Sequence, residues 1–147
     1  MPEVELTLNG GVNTSAASGN GGANMPSSIL VIDDEASIRE SLEVLLSLEG
    51  YTTSMALDGE EGLRMLESNS YDLVLLDLAM PGQSGLEILP QIKERQPDLP
   101  VIMITAYGGV ESYIESMNLG AFEYINKPIK VEELKSILKK IFKESSH

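Results

Sequence analysis

From Ser27 onward the chain alternates between two hydrophobic rhythms. Short, nearly continuous apolar runs take turns with longer stretches whose apolar residues recur every three or four positions. The runs are ILVID (29–33), YTTSMA (51–56), DLVLLD (72–77), PVIMIT (100–105) and AFEYI (121–125). Each is too short for a stable helix, and most are rich in β-branched residues, so each reads as a strand. The stretches between them carry helical spacing: Ile38, Leu42, Leu45 and Leu46; Leu63 and Leu66; Val110, Ile114 and Met117; Leu134, Ile137, Leu138 and Ile141. Asp58 with Glu61, and Ser84 with Glu87, have the spacing of a capping box and predict the starts of the second and third helices. Pro90 lies inside the third, where it removes a backbone donor, so a kink or a short helix is expected there.

Five strands thus alternate with five helices. The first, third and fourth strands are almost wholly apolar, as strands are when helices cover both faces of a parallel sheet. Right-handed crossovers then favour an α/β doubly wound sandwich, a five-stranded parallel sheet in the flavodoxin-like order 2-1-3-4-5. In such a sheet the functional site falls at the carboxyl ends of the strands, near the switch point between strands 1 and 3.

Composition adjusts this picture in a few places. At 147 residues the chain suggests one domain, able to bury roughly 70% of the surface of the unfolded chain. It has no cysteine, which excludes disulfides and thiolate metal sites. No apolar run approaches the ~18 residues of a membrane span, and the N-terminus lacks a basic-then-apolar signal pattern, so a cytoplasmic protein without membrane contact is expected. The net charge of −13 disfavours direct nucleic-acid binding, which calls for a basic stripe. Solubility accounts for such a charge, and so would a local cation site. Six of the ten basic residues lie from Lys127 onward. The first 24 residues, with NGGVNTSAASGNGGAN, lack an apolar period; residues 1–26 are expected to be a flexible, disordered extension ahead of a domain at 27–147. Whether they belong to the natural chain or were added before Met25 stays open. GNGGAN follows no strand and has no Lys-Ser/Thr, so it is not read as a phosphate loop.

The strand ends hold the chemistry. The first strand runs into Asp33 and Asp34, the third ends at Asp77, the fourth at Thr105, and the fifth is followed by Lys127-Pro128. Strands 1 and 3 are neighbours in the expected order, so three carboxylates converge. Two carboxylates about 4 Å apart repel by roughly 4 kcal/mol at an effective dielectric near 20, and they need a counter-charge. A hard divalent cation with oxygen ligands fits, and magnesium suits a small carboxylate set. Lys127 brings a second positive charge and Thr105 a hydroxyl. A carboxylate held this way is suited to attack phosphorus, with the cation and the lysine stabilising the phosphoryl oxygens. An aspartate after a strand is often only a turn or helix cap, and a lysine-proline pair often only a loop. Their joint occurrence at successive strand ends is what argues for a site.

The segments VIDDE (31–35), LLDLAMPGQSG (75–85), MITAYG (103–108) and EYINKP (123–128) resemble the receiver domain of two-component response regulators over about residues 28–144. ITAYG and GAFEYINKP are most similar to receivers of the nitrogen-regulatory, enhancer-binding type. The resemblance implies that Asp77 takes a phosphoryl group from a phospho-histidine of a sensor histidine kinase or phosphotransfer protein. It also implies that Asp34, Asp77 and the backbone carbonyl of Ala79 bind Mg2+, with Asp33 assisting indirectly. Lys127 would pair with the phosphoryl group, Thr105 would move to hydrogen-bond it, and Tyr124 would be the switch aromatic that turns inward. The helix 4–strand 5–helix 5 face would be reshaped, and the Lys127-Pro128 bond is expected to be cis. The chain would then be a signalling module rather than an enzyme.

Further expectations concern lifetime and contacts. Ala79 has no polar group to position an attacking water and Tyr107 is bulky enough to shield the site, which predicts a long-lived acyl phosphate. The kinase is expected to dock near the first helix and the loop after strand 5. Tyr113, Phe122 and Tyr124 mark an output or dimer face, with a core position for Phe122 as the equal alternative. Enhancer-binding regulators carry further domains, so the chain is either a stand-alone receiver or a fragment. Three rival readings fit less well. A haloacid-dehalogenase-type phosphatase needs an acid where Ala79 stands. A flavin-binding module needs a hydroxyl- and Gly-rich loop where Asp33, Asp34 and Glu35 stand. A degenerate receiver would bind partners without phosphorylation, yet all the key side chains are present.

Overall fold

A computed structural model describes residues 27–142. The expectation for residues 1–26 lies outside the described residues. The elements are β1 (Ser28–Ile32), α1 (Ala36–Leu48), β2 (Thr52–Ala56), α2 (Gly59–Ser68), β3 (Leu73–Asp77), α3 (Gly85–Arg95), β4 (Val101–Thr105), α4 (Val110–Asn118), β5 (Glu123–Asn126) and α5 (Val131–Ile141). The sheet is fully parallel in the order β2-β1-β3-β4-β5, as the alternation of strand and helix patterns required. β1 and β3 are paired from Ile29–Leu73 to Ile32–Leu76, so Asp33 and Asp77 leave the same end of adjacent strands.

The alternation of side chains along each strand divides the core into two layers. Leu30, Ile32, Val74, Leu76, Val101 and Met103 face α2 and α3, meeting Leu66, Ile88, Leu89 and Ile92. Ile29, Val31, Leu73, Leu75, Ile102 and Ile104 face α1 and α5, meeting Leu42, Leu46, Leu134, Ile137 and Leu138. All five residues of β3 and all five of β4 are buried, which is why their sequences read as unbroken apolar runs.

The helix starts follow the capping chemistry with one change. At α3 the Leu86 amide donates to Ser84 Oγ (3.0 Å) and the Ser84 amide donates to Glu87 Oε1 (3.3 Å). At α2 the Glu61 amide donates to Asp58 Oδ1 (2.9 Å), but Glu61 Oε1 accepts from Leu57 rather than from the cap residue itself (2.7 Å). Pro90 does not shorten α3, which continues to Arg95. The proline is exposed while Ile88, Leu89 and Ile92 are fully buried, so the packed face holds the helix despite the lost backbone donor.

α4 packs differently from the other helices. Most of its apolar stripe faces out: Val110 is 75% exposed, Ile114 50% and the adjoining Tyr113 46%. The inward face is instead the small-residue one, centred on Ser116, with Met117 and Leu119 against the α3 side of the core. Periodicity identified the helix without saying which face packs, because a stripe pattern carries no sign for a helix that packs through serines. Phe122 is 40% exposed, so it is not a core residue. Ser116 Oγ is buried with no hydrogen-bond partner, a net cost to this packing. Ser116→Ala is therefore expected to raise stability by about 1 kcal/mol, read as a higher urea midpoint with an unchanged slope.

Candidate functional site

The carboxyl ends of β1, β3 and β4 open onto a cleft of about 590 Å³ lined by Asp34, Asp77, Ala79, Tyr107 and Lys127, among others. Asp77 is the last residue of β3 and is 3% exposed. It is held by β4: its backbone registers with Ile104, and the Leu78 amide donates to the Ile104 carbonyl (2.9 Å). The Ala79 amide donates to Asp77 Oδ1 (3.2 Å). The start of α3 closes directly over this strand end. The Gly85 amide donates to the Leu78 carbonyl (2.7 Å), and a Cβ on Gly85 would fall 2.4 Å from the Asp77 carbonyl oxygen. Only glycine allows that approach.

Lys127 reaches the site from the loop after β5, where its amide donates to the Thr105 carbonyl (2.8 Å) and its bond to Pro128 is cis, as expected. Its ammonium lies 3.1 Å from Asp33 Oδ2, 2.6 Å from Glu35 Oε1 and 3.5 Å from Asp77 Oδ2. Burial works against the charged ammonium, but the hydrogen bonds to Glu35 and Asp33 and the charges of Asp33 and Asp77 outweigh it and raise its pKa. Asp77 shows the opposite balance. Burial and then the charge of Asp33 push its carboxyl up to about 7; Lys127 and the Ala79 amide offset this only in part, and Asp34 adds to it. The strand end is therefore short of positive charge even with Lys127 in place.

The acids that come within 4.8 Å of one another are Asp33, Glu35 and Asp77 rather than Asp33, Asp34 and Asp77. Lys127 already sits among those three. Asp34 is exposed and lines the cleft on which Asp77 and Ala79 also open. The all-oxygen donor set and the unmet negative charge on this side fit a hard cation.

Of the other expected residues, Thr105 is fully buried and its Oγ1 accepts from the Tyr107 amide (3.0 Å), so its hydroxyl is engaged by its own loop. Tyr107 lines the cleft but is 80% exposed, so its ring does not shield the site as the sequence suggested. Tyr124 stands apart from the carboxylates. Its hydroxyl is 2.6 Å from Ser112 Oγ on α4 and its ring packs edge-on against Tyr113. Gly108 links the two: a Cβ there would meet the Tyr124 hydroxyl, Asn126 Oδ1 and Thr105 Cγ2. Sequence reasoning missed Glu35, Gly85, Gly108 and Ser112. Glu35 was visible as a third consecutive acid in VIDDE, whereas the others act through contacts that no spacing rule encodes.

The chain is a doubly wound α/β domain with a buried aspartate, a lysine and an acidic cleft at the switch point of its sheet. Comparison with known proteins gives the family. Residues 29–139 match the response regulator receiver domain, and the chain belongs to that family. It is 37% identical over 118 residues to the transcriptional regulatory protein DltR of Streptococcus agalactiae, a match covering 80% of this chain and 53% of DltR. The chain thus spans about half the length of the curated relatives it matches. Among solved structures it is similar to the response regulator TrrA of Thermotoga maritima in complex with Mg2+ and BeF, at 43% identity, a TM-score of 0.72, and coverage of 79% of this chain and 99% of TrrA. It is also similar to the beryllofluoride-activated NtrC4 receiver domain dimer, at 35% identity, a TM-score of 0.75, and coverage of 81% and 98%. Receiver domains are signalling domains that take phosphate from histidine kinases, and the family uses Mg2+. Among the described residues no helix is long and apolar enough to cross a membrane.

The raised carboxyl of Asp77 has a stability consequence. Its pKa in the folded state lies above the unfolded value of 3.8, so the folded protein is penalised as pH rises through that interval, fully so above about 7. Asp77→Asn removes the penalty and leaves Lys127 with Asp33 and Glu35. In EDTA the variant is expected to be more stable than wild type by roughly 2–4 kcal/mol at pH 8, the gain shrinking towards zero near pH 4, as measured by urea unfolding across pH.

Proposed function

We propose that this domain accepts a phosphoryl group on Asp77 from the phospho-histidine of a sensor kinase or phosphotransfer protein and passes the event to a partner through its α4–β5–α5 face. The observation that supports this most is the placement of Asp77: a buried carboxylate rigidly held at a strand end, open to a cleft and 3.5 Å from the Lys127 ammonium. An Asp77 oxygen forms a bond to phosphorus as the bond from phosphorus to the donor nitrogen breaks, its electron pair leaving with the imidazole. Lys127 neutralises the phosphoryl oxygens. Asp34, Asp77 and the Ala79 carbonyl would hold Mg2+, with Asp33 assisting indirectly. When bound, the ion supplies positive charge against the phosphoryl oxygens and the clustered carboxylates. The domain does no chemistry on a separate substrate and is not an enzyme beyond accepting and slowly losing its own phosphoryl group.

The readout is a two-state rearrangement. In the state seen here Thr105 Oγ1 is engaged by Tyr107 and Tyr124 by Ser112. A phosphoryl group on Asp77 offers Thr105 a stronger, charge-assisted partner. Its shift vacates space beside Gly108, into which Tyr124 turns as it releases α4. Val110, Tyr113, Ile114 and Phe122 already expose apolar surface on this face, which supports its use as a contact for an output partner or for a second copy of the domain.

The deciding experiment is intact mass after incubation with acetyl phosphate. A phosphoryl adduct is expected in wild type with Mg2+, absent without it and absent in Asp77→Ala; no adduct under any condition would favour a degenerate, partner-binding receiver. A second expectation concerns lifetime. Ala79 places only a methyl group beside the acceptor, so the adduct should last many minutes, and Ala79→Asn, which can orient a water, should shorten it. Decay within seconds in wild type would contradict this.

A further inference from the structure

We infer that Glu35 is a positioning residue for Lys127, keeping the tightest contact of its ammonium on itself until phosphoryl oxygens on Asp77 take it over. The inference rests on the phosphoacceptor reading above. Its first support is the order of distances around Lys127 Nζ: 2.6 Å to Glu35, 3.1 Å to Asp33 and 3.5 Å to Asp77. The tightest contact goes to the acid whose side chain is 53% exposed, while Asp33 and Asp77 are 2% and 3% exposed. The second support is how Glu35 is used. It stands at the N-cap position of α1 but makes no side-chain cap. Its amide is fixed by Asp33 Oδ1 (2.9 Å), and the Asp33 carbonyl is fixed by the Arg39 guanidinium (2.7 Å). The backbone is anchored and the carboxylate is directed across the cleft to a residue 92 positions away.

This arrangement divides the labour among the three acids. Asp33 is buried and stays with Lys127 in either state. Glu35 is half in water, so it exchanges the ammonium for solvent at little cost. A phosphoryl group adds charge and acceptor oxygens at Asp77, and it draws the ammonium over from 3.5 Å. Until then the tight ion pair with Glu35 must loosen before Lys127 can assist, so Glu35 slows phosphorylation by way of Lys127.

The test is the rate of labelling by acetyl phosphate in saturating Mg2+, where the phosphorus–acetate bond breaks with its electron pair leaving on acetate. Two variants are compared with wild type: Glu35→Gln removes the charge at equal length, and Glu35→Asp keeps the charge one methylene short of Lys127. Both are expected to label faster, by about threefold or more. Urea unfolding in EDTA of wild type, Glu35→Gln, Lys127→Met and the double variant reads the same pair without phosphorylation, and the two single changes should be non-additive. Variants no faster than wild type would overturn the inference. So would acceleration in Glu35→Gln alone, which would mean simple charge repulsion, or an additive cycle, which would mean that Glu35 does not act through Lys127. A wild type that is not labelled at all would instead sink the phosphoacceptor reading, and this inference with it.

Discussion

The ammonium of Lys127 is the charge around which this end of the molecule is organised. Asp33, Glu35 and Asp77 all lie within 3.5 Å of it, and two of the three are almost fully buried. Without it, adjacent strands of a tightly packed sheet would end in unpaired carboxylates that cannot move apart, because their backbones are locked in register. One cation does not balance three anions, and the carboxyl of Asp77 remains well above its usual range. That residual imbalance is the physical content of the site. It makes the strand end, where the buried Asp77 carboxylate lines the cleft, receptive to further positive charge.

The fold exists to hold this imbalance. Helices on both faces bury β3 and β4 completely, so Asp77 is presented by a strand with no freedom to relax. Gly85 lets α3 approach the backbone just after Asp77 to a distance that no side chain would permit. The site lies at the carboxyl end of the sheet, where strands 1 and 3 lead into loops that carry Asp34 and Ala79.

The opposite edge of the domain is built more loosely. α4 turns its serines inward, leaves Ser116 Oγ unpaired and exposes its larger apolar side chains. It is tied to β5 by the contacts of Ser112 and Tyr113 with Tyr124. A helix held by so little is the element most easily displaced, and it lies beside the loop that starts from Thr105. The end of β4 and the contacts of α4 meet at Gly108, where the Tyr124 hydroxyl and the Thr105 methyl group crowd the same small volume.

Sequence by itself determined the element order, the parallel sheet and its strand order, because buried strands and amphipathic helices leave periods that differ and crossovers allow few topologies. It also determined that Asp33, Asp77 and Lys127 would converge, since each stands where a strand ends. Tertiary structure decided what periodicity cannot carry. It set which face of α4 packs, for both faces were compatible with a helix. It let α3 run through Pro90, because a packed face outweighs one lost hydrogen bond. It placed Glu35 rather than Asp34 in the ion-pair cluster, with Glu35 Oε1 2.6 Å from the Lys127 ammonium and Asp34 exposed along the cleft. Contacts between residues 92 positions apart, such as Glu35 with Lys127, depend on side-chain direction in the folded chain, and no local pattern records that direction.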